Sequence, residues 1–328
     1  MAEPVNANFD FLLRRLRMRH VELLTMLADV GSVHRAAEQL NLSQPAVSKM
    51  LREVEEVFDA RLFDRGRRGV APNALGRAAI HRARVALGEL SRAVEEIQSM
   101  RGGAAAMLRI GTLSITTIVP AAIVGLQLRM PGASVQIREG RVRELLQRLL
   151  DGELDCVFGA VTPQVLENDP LESLHSEVIF EDRLCALVSD ASPLLRKRRL
   201  LWRDLATQRW VAPPRDSLVR QVFMSAFVNE GVEPPLPSVE TLSPVTIGAL
   251  LRLDASYVGA VRHEQACDEV ARGGVERLRV MPTAALPPLS LFTRRHSLAQ
   301  PEVVLAFIEA MKDAARRPRR EPARRRNG

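Results

Sequence analysis

Gln44, Ser48 and Arg52 recur at i, i+4 and i+8 of a single segment, with Lys49 beside them. That spacing puts them on one stripe of a helix. Their chemistry suits reading base edges. A glutamine amide pairs bidentately with adenine, a guanidinium with guanine, and a serine hydroxyl with a base or a phosphate. The opposite stripe, Val47, Met50, Leu51, Val54 and Phe58, is apolar, as core packing needs. A second basic group sits at Arg65, Arg67 and Arg68 among glycines. Guanidiniums at such a loop tip meet phosphates or the minor groove. Glu53, Glu55 and Glu56 fall later on the helix, away from the end that would enter a groove. A solvated polar face accounts for the stripe alone; the arginine-rich tip favours DNA.

These side chains need elements to hold them. Met18, Val21, Leu24, Thr25 and Ala28 share a face of one helix, which Gly31 ends. Ser32 is an N-cap for a helix over Val33 to Leu40, and Ser43 caps the next, with Pro45 in its first turn. Two short helices around a three-residue turn form a helix-turn-helix, whose second helix lies in the major groove. Short apolar pieces flanking residues 64–68 predict a β-hairpin, a wing. A long helix follows from about Asn73 to Ser99. Ile80, Ala83, Leu87, Leu90, Val94 and Ile97 are spaced 3-4-3-4-3, a heptad seam able to join two chains. Packing on its own domain is the competing reading. Residues 101–104 read as a hinge.

From Leu108 the texture changes. Strands at Leu108 to Leu113, Ser134 to Arg138 and Asp155 to Ala160 alternate with helices at Ile118 to Met130 and Arg141 to Asp151. This β-α-β-α-β order predicts a parallel sheet covered by helices. Later strand candidates are Val178–Ile179, Leu184 to Val188, Trp210 to Ala212, Val239–Glu240, Ala255 to Val261 and Leu289 to Thr293. Helices are expected at Ser217 to Glu230, Thr246 to Leu253 and Glu302 to Ala315. The fold class is α/β with an all-α-type N-terminus, and about 210 residues of this pattern suit two linked lobes.

The net charge of +7 is poor support for a nucleic-acid partner. Residues 1–101 carry +3, residues 102–315 carry −2, and the seven arginines and Glu321 of residues 316–328 carry +6. Most of the excess is therefore a tail that reads as disordered. Only Lys49, Lys197 and Lys312 are lysine, a bias along the whole chain that reflects coding composition. Cys156, Cys185 and Cys267 are too few and too scattered for a disulfide scaffold, and a reducing cytoplasm is expected. No signal peptide is visible, and the longest uncharged stretch, Ile110 to Leu128, is too polar to span a membrane. His263-Glu264-x-x-Cys267 mimics metal-ligand spacing on a helix, but no further ligands appear at recognisable spacing, and a surface helix start is the favoured reading. No nucleophile elbow or phosphate loop is present. No enzyme activity, metal or cofactor is expected.

Several strings together resemble one family. Gly31-Ser32, Arg35-Ala36-Ala37-Glu38-x-Leu40, Ser43-Gln44-Pro45-Ala46-Val47-Ser48, Arg61-Leu62-Phe63-x-Arg65 and Ala74-Leu75-Gly76 resemble the DNA-binding domain of LysR-type transcriptional regulators. Arg109-Ile110-Gly111, Pro131 and Gly152-Glu153-Leu154-Asp155 extend the likeness to residues 9–312. Arg17–Arg19, the run Arg67 to Pro72 and Trp210 to Pro214 look closest to regulators of sugar uptake and aromatic-acid catabolism. His34, Val54, Asp59 and Asn73 depart from the family pattern; Asp59 takes a usual glycine position.

The resemblance implies a winged helix-turn-helix domain over 1–73, a linker and dimerisation helix over 74–101, and a periplasmic-binding-protein-like effector domain over 102–315. One lobe would take about 107–162 and 266–313, the other about 163–265, with a basic tail over 316–328. It implies a cytoplasmic homodimer or homotetramer that binds double-stranded DNA and recruits RNA polymerase. Its effector would be a sugar, a sugar acid or an aromatic acid, bound between the lobes. Ser32, Arg35, Ser43, Pro45 and Ala46 join Gln44, Ser48, Lys49, Arg52, Arg65, Arg67 and Arg68 as DNA-contact candidates. Effector candidates are Ser114, Thr116, Arg141, Ala160, Val161, Arg215, Ser217, Ser243, Pro244 and Arg262. Arg141, Arg215 or Arg262 would pair a carboxylate, with an interlobe salt bridge as the competing reading. A nonspecific architectural DNA protein is the alternative that the basic tail suggests.

Overall fold

Apolar residues that recur every three or four places in the first hundred positions close into one small core. A computed structural model describes residues 12, 14–66, 69–103, 106–113, 118–161, 173–295 and 300–316. Helices α1 (Met18–Val30), α2 (Val33–Gln39) and α3 (Gln44–Val57) bury Leu23, Leu24 and Leu27, Ala36 and Ala37, and Val47, Leu51 and Val54 against one another. Gly31 ends α1 in the left-handed region, at φ 63°. Ser32 and Ser43 each cap the next helix, accepting from the amides of Arg35 (3.4 Å) and Ala46 (3.3 Å). Each cap satisfies a donor that a helix start leaves open.

Strands β1 (Phe63–Gly66) and β2 (Gly69–Pro72) form the expected hairpin, with Phe63 opposite Pro72 and Gly66 opposite Gly69. Val70 donates its N–H to the Gly31 carbonyl at 3.0 Å, which fastens the wing to the end of α1. Helix α4 spans Ala74–Arg101. Asn73 caps it by accepting from the Gly76 amide (2.9 Å), and its own amide donates to the Arg61 carbonyl (2.8 Å). Gly76 must be glycine, because a Cβ there would lie 1.9 Å from the Leu62 carbonyl oxygen.

The chain falls into two compact units, Met1–Gly103 with Gln147–Leu154, and Ala104–Leu146 with Asp155–Gly328. The second unit opens with β3 (Ala106–Thr112), α5 (Ile118–Arg129), β4 (Ala133–Glu139), α6 (Val142–Leu150, whose end clusters with the first unit) and β5 (Cys156–Gly159). It continues with β6 (Leu174–Ser189), β7 (Leu200–Leu201), β8 (Arg209–Ala212), α7 (Leu218–Val228), β9 (Val239–Glu240), α8 (Pro244–Leu253) and β10 (Tyr257–Arg262). It ends with α9 (His263–Ala271), β11 (Val275–Arg277), β12 (Val280–Met281), β13 (Ala285–Arg294) and α10 (Glu302–Arg316). The main sheet runs β4-β3-β5-β13-β6-β10-β8-β9, with β11 against β6. β3 lies parallel to both β4 and β5, as the β-α-β-α-β order requires.

The returning strand β13 inserts antiparallel between β5 and β6. β6 is one strand of 16 residues, not the two separate pieces expected at 178–179 and 184–188. Glu181, Asp182 and Arg183 interrupt its apolar pattern, but pairing with β13 carries the backbone through them. Its first half belongs to a core of Leu108, Ile110, Phe158, Leu126, Phe307 and Met311 under α5 and α10. Its second half alternates. Leu184, Ala186 and Val188 face Trp202, Trp210, Phe223 and Phe227, while Cys185 and Leu187 face Ile247, Leu251 and Ala266. Period-two alternation thus buries both faces.

One boundary differs from the sequence reading. Ala266 and Val275 share a core with Ile247 and Leu251, and β12 pairs with β7. The second lobe therefore continues to Met281 and returns on β13, not at residue 266. The segment His263–Ala271 is a helix, as the surface helix start at His263 leads one to expect. Among the described residues no helix is long and apolar enough to cross a membrane.

Candidate functional site

α3 presents two chemically distinct faces. Val47, Leu51 and Val54 are buried, while Gln44, Lys49 and Arg52 are exposed and Ser48 is half-buried. Ser43 and Pro45 are exposed at the leading turn, Ala46 is half-buried, and Arg35 is exposed on α2 beside the half-buried cap Ser32. Arg52 donates Nε to the Ser48 carbonyl at 3.4 Å. Two of the three acids on this helix have structural partners. Glu53 lies 3.3 Å from His20 Nε2 and 3.8 Å from Lys49 Nζ. Glu55 accepts the backbone N–H of Leu62 (2.8 Å) and of Phe63 (3.3 Å), holding the turn into the wing. Arg65 lies in β1; Arg67 and Arg68 lie outside the described residues.

The heptad seam of α4 splits in two. Ile80 and Ala83 are buried in the core of α1–α3, and Leu87 packs against that core. Ile80 and Ala83 thus pack within their own unit, and Leu87 is half-buried. Leu90, Val94 and Ile97 are 50, 55 and 55% exposed.

The second unit contains a cavity of about 650 Å³ where α6, α7 and α9 begin. Arg141, Ala160, Val161, Ser217 and Arg262 line it, and Phe158, Leu218 and Leu289 supply apolar wall. Arg215, Ser243 and Pro244 are not among the lining residues; their neighbours Asp216 and Leu242 are. A single step along the chain turns a side chain away. Ser114 and Thr116 lie outside the described residues.

Two of the arginines expected to await an anion already have acids. Arg141 donates to Asp216 across the cavity, both more than half exposed. Arg262 is buried and donates to Asp182 Oδ2 at 2.5 Å, where the carboxylate is fully buried. Asp182 Oδ1 also accepts the His263 backbone N–H at 3.1 Å. Ser217 caps α7, accepting from the Arg220 amide (3.2 Å) and donating to the Pro214 carbonyl (2.8 Å).

His263 lies 3.7 Å from Cys185 Sγ and 3.8 Å from Cys267 Sγ. Its Nδ1 is 3.0 Å from the Arg277 guanidinium, a group that can only donate. Burial pushes the Cys185 thiol up to about 11. Among the described residues no group of three His, Cys, Asp or Glu side chains could hold a metal ion.

Two family models cover nearly the whole described chain. The model described as the bacterial regulatory helix-turn-helix protein, lysR family, matches residues 18–77, and that of the LysR substrate binding domain matches 101–316. The chain belongs to the LysR family of transcriptional regulators. This LysR-family chain is 34% identical over 239 residues to the HTH-type transcriptional regulator GbpR of Azospirillum brasilense, covering 72% of the chain and 68% of that protein. The HTH-type transcriptional regulator PcaQ of Agrobacterium fabrum is 30% identical over 308 residues, covering 92% of this chain and 96% of PcaQ. The crystal structure of full-length CbnR with its target DNA shares the fold, with a TM-score of 0.55, 21% identity, 91% of this chain and 100% of that one covered. These relatives are transcriptional regulators, so the enzymatic and architectural alternatives are not favoured. As a LysR regulator the chain joins a DNA-binding domain to an effector-binding domain.

Sequence reading of this LysR regulator missed the acids of the cavity. Asp182 lies in the polar stretch between two strand candidates, and Glu264 in a segment whose spacing signals only a helix start. Asp216 stands one residue ahead of the helix expected at Ser217. Its signal was Asp-Ser ahead of an apolar run, which marks a cap and says nothing of the arginine 75 positions away.

Proposed function

We propose that α3 reads the operator of this LysR regulator, with Gln44, Ser48, Lys49 and Arg52 toward base edges and phosphates. Ser32, Arg35, Ser43, Pro45 and Ala46 would pack along the backbone, and Arg65, Arg67 and Arg68 would contact phosphate or minor groove from the wing. The carrying observation is the division of α3, with one face buried and the cations and amide exposed on the other. Replacing Gln44 and Ser48 together by Ala is expected to abolish promoter discrimination in a gel shift while changing stability by less than about 0.5 kcal/mol. Wild-type specificity in the double variant would refute the assignment.

Leu90, Val94 and Ile97 form the seam that joins two copies, as a homodimer or within a homotetramer. The cavity lined by Arg141, Ala160, Val161, Ser217 and Arg262 takes a small-molecule effector from the sugar, sugar-acid or aromatic-acid classes. Effector binding shifts the population between two arrangements of the bound regulator, and RNA polymerase reads the result in the cytoplasm. Ser114 and Thr116 stay candidates for the same effector, while Arg215, Ser243 and Pro244, which do not line the cavity, have the weaker claim. A thermal-shift screen of the three ligand classes against the full chain tests the cavity; no response from any class would sink its effector role.

A further inference from the structure

We infer that the cavity takes an uncharged, polyhydroxylated ligand, a neutral monosaccharide, and not an acid. The inference rests on the cavity being the effector site. Three arginines line it, Arg141, Arg143 and Arg262, and so do three acids, Glu144, Asp216 and Glu264. The described lining is therefore balanced, and the fully buried Asp182 behind Arg262 adds a further negative charge. Arg141 is already engaged by Asp216, and Arg262 by Asp182.

The helix ends carry the same balance. α6, α7 and α9 all begin at the cavity, and a helix N-terminus attracts an anion. Each of these three brings its own carboxylate. Glu144 and Glu264 stand in the first turns of α6 and α9, and Asp216 directly precedes the cap of α7. An incoming carboxylate would find Arg141 and Arg262 engaged and each helix start matched, and it would sit among like charges. A hydroxyl both donates and accepts. Guanidiniums that only donate and carboxylates that only accept, lining one cavity, together suit a ligand with several hydroxyls. Ser217 and Gln265 add neutral polar groups to the same lining, and Phe158 and Leu289 offer apolar surface to a sugar's C–H face. The volume of about 650 Å³ accommodates a monosaccharide with room for closure.

Calorimetric titration of the full chain compares glucose, galactose and mannose with glucuronate and galacturonate, and benzamide with benzoate. At least one neutral hexose is expected to bind about tenfold or more tightly than the uronate of the same configuration. Asp216→Asn leaves Arg141 unmatched and is expected to move that preference toward the uronate by about tenfold. A uronate or benzoate that binds as tightly as its neutral counterpart, or three hexoses that all fail to bind, overturns the neutral-ligand inference. A different result overturns the underlying reading of the cavity. That result is hexose binding untouched by Val161→Trp and by Leu242→Trp, two substitutions that fill the cavity from partly exposed positions.

Discussion

Asp59 shows how one residue type meets a backbone demand. It follows α3 in the left-handed region, at φ 47°, where the family pattern has glycine. The amides of Asp59 and Ala60 bond back to Glu56 (3.2 Å) and Glu55 (3.0 Å), so the turn is forced by the helix end. Aspartate tolerates this conformation better than most residues. Asp59→Gly removes a left-handed cost of roughly 1–2 kcal/mol and adds roughly 0.4–1 kcal/mol of unfolded-chain entropy. We expect a net gain of about 0.5–1 kcal/mol in urea unfolding of the chain; a decrease would show that the Asp59 side chain makes a stabilising interaction of its own. Asn73 is a second departure from the pattern; its side chain caps α4 and bonds the Arg61 carbonyl at once.

At the scale of elements, α4 is two helices in one. Its first turns complete the core of the DNA-binding unit through Ile80 and Ala83, and its second half shows Leu90, Val94 and Ile97 to solvent. The two halves predict opposite phenotypes. Ile80→Ala is expected to cost about 2–4 kcal/mol of stability through cavity formation. Val94→Glu sits on exposed surface and is expected to leave folding within about 0.5 kcal/mol while placing charge on the seam and dissociating the oligomer in sedimentation. An unchanged sedimentation coefficient for Val94→Glu would remove the seam from the interface. The heptad spacing was legible in the sequence; the division was not. A 3-4 repeat marks an apolar stripe on a helix, and what covers each part depends on where α1 and α2 end.

For the whole molecule, charge matters by placement. The +6 of residues 316–328 lies almost entirely outside the described residues, while the proposed DNA-contact positions belong to a segment of only +3. Deleting residues 317–328 is expected to weaken DNA binding uniformly across sequences. It should also flatten the dependence of log affinity on log salt, by about 0.9 for each phosphate that the tail neutralises. Equal affinity at every salt concentration would deny the tail any part in binding.

The sequence alone determined what local rules control. Caps at Ser32 and Ser43, the left-handed Gly31, the apolar face of α3 and the β-α-β-α-β order all follow from hydrogen bonds and periodicities that close within a few residues. The polar stripe proposed for recognition was legible for the same reason, since positions four apart on a helix must share a face. Only the tertiary structure decided the cavity. Arg141 meets Asp216 and Arg262 meets Asp182 across 75 and 80 positions of chain. The insertion of β13 between β5 and β6 and the continuity of β6 bring these groups together. No spacing rule encodes such a partner, because it is chosen by how distant strands pair. A sequence rich in arginine therefore looked ready for an anion, and the fold had already given Arg141 and Arg262 their carboxylates.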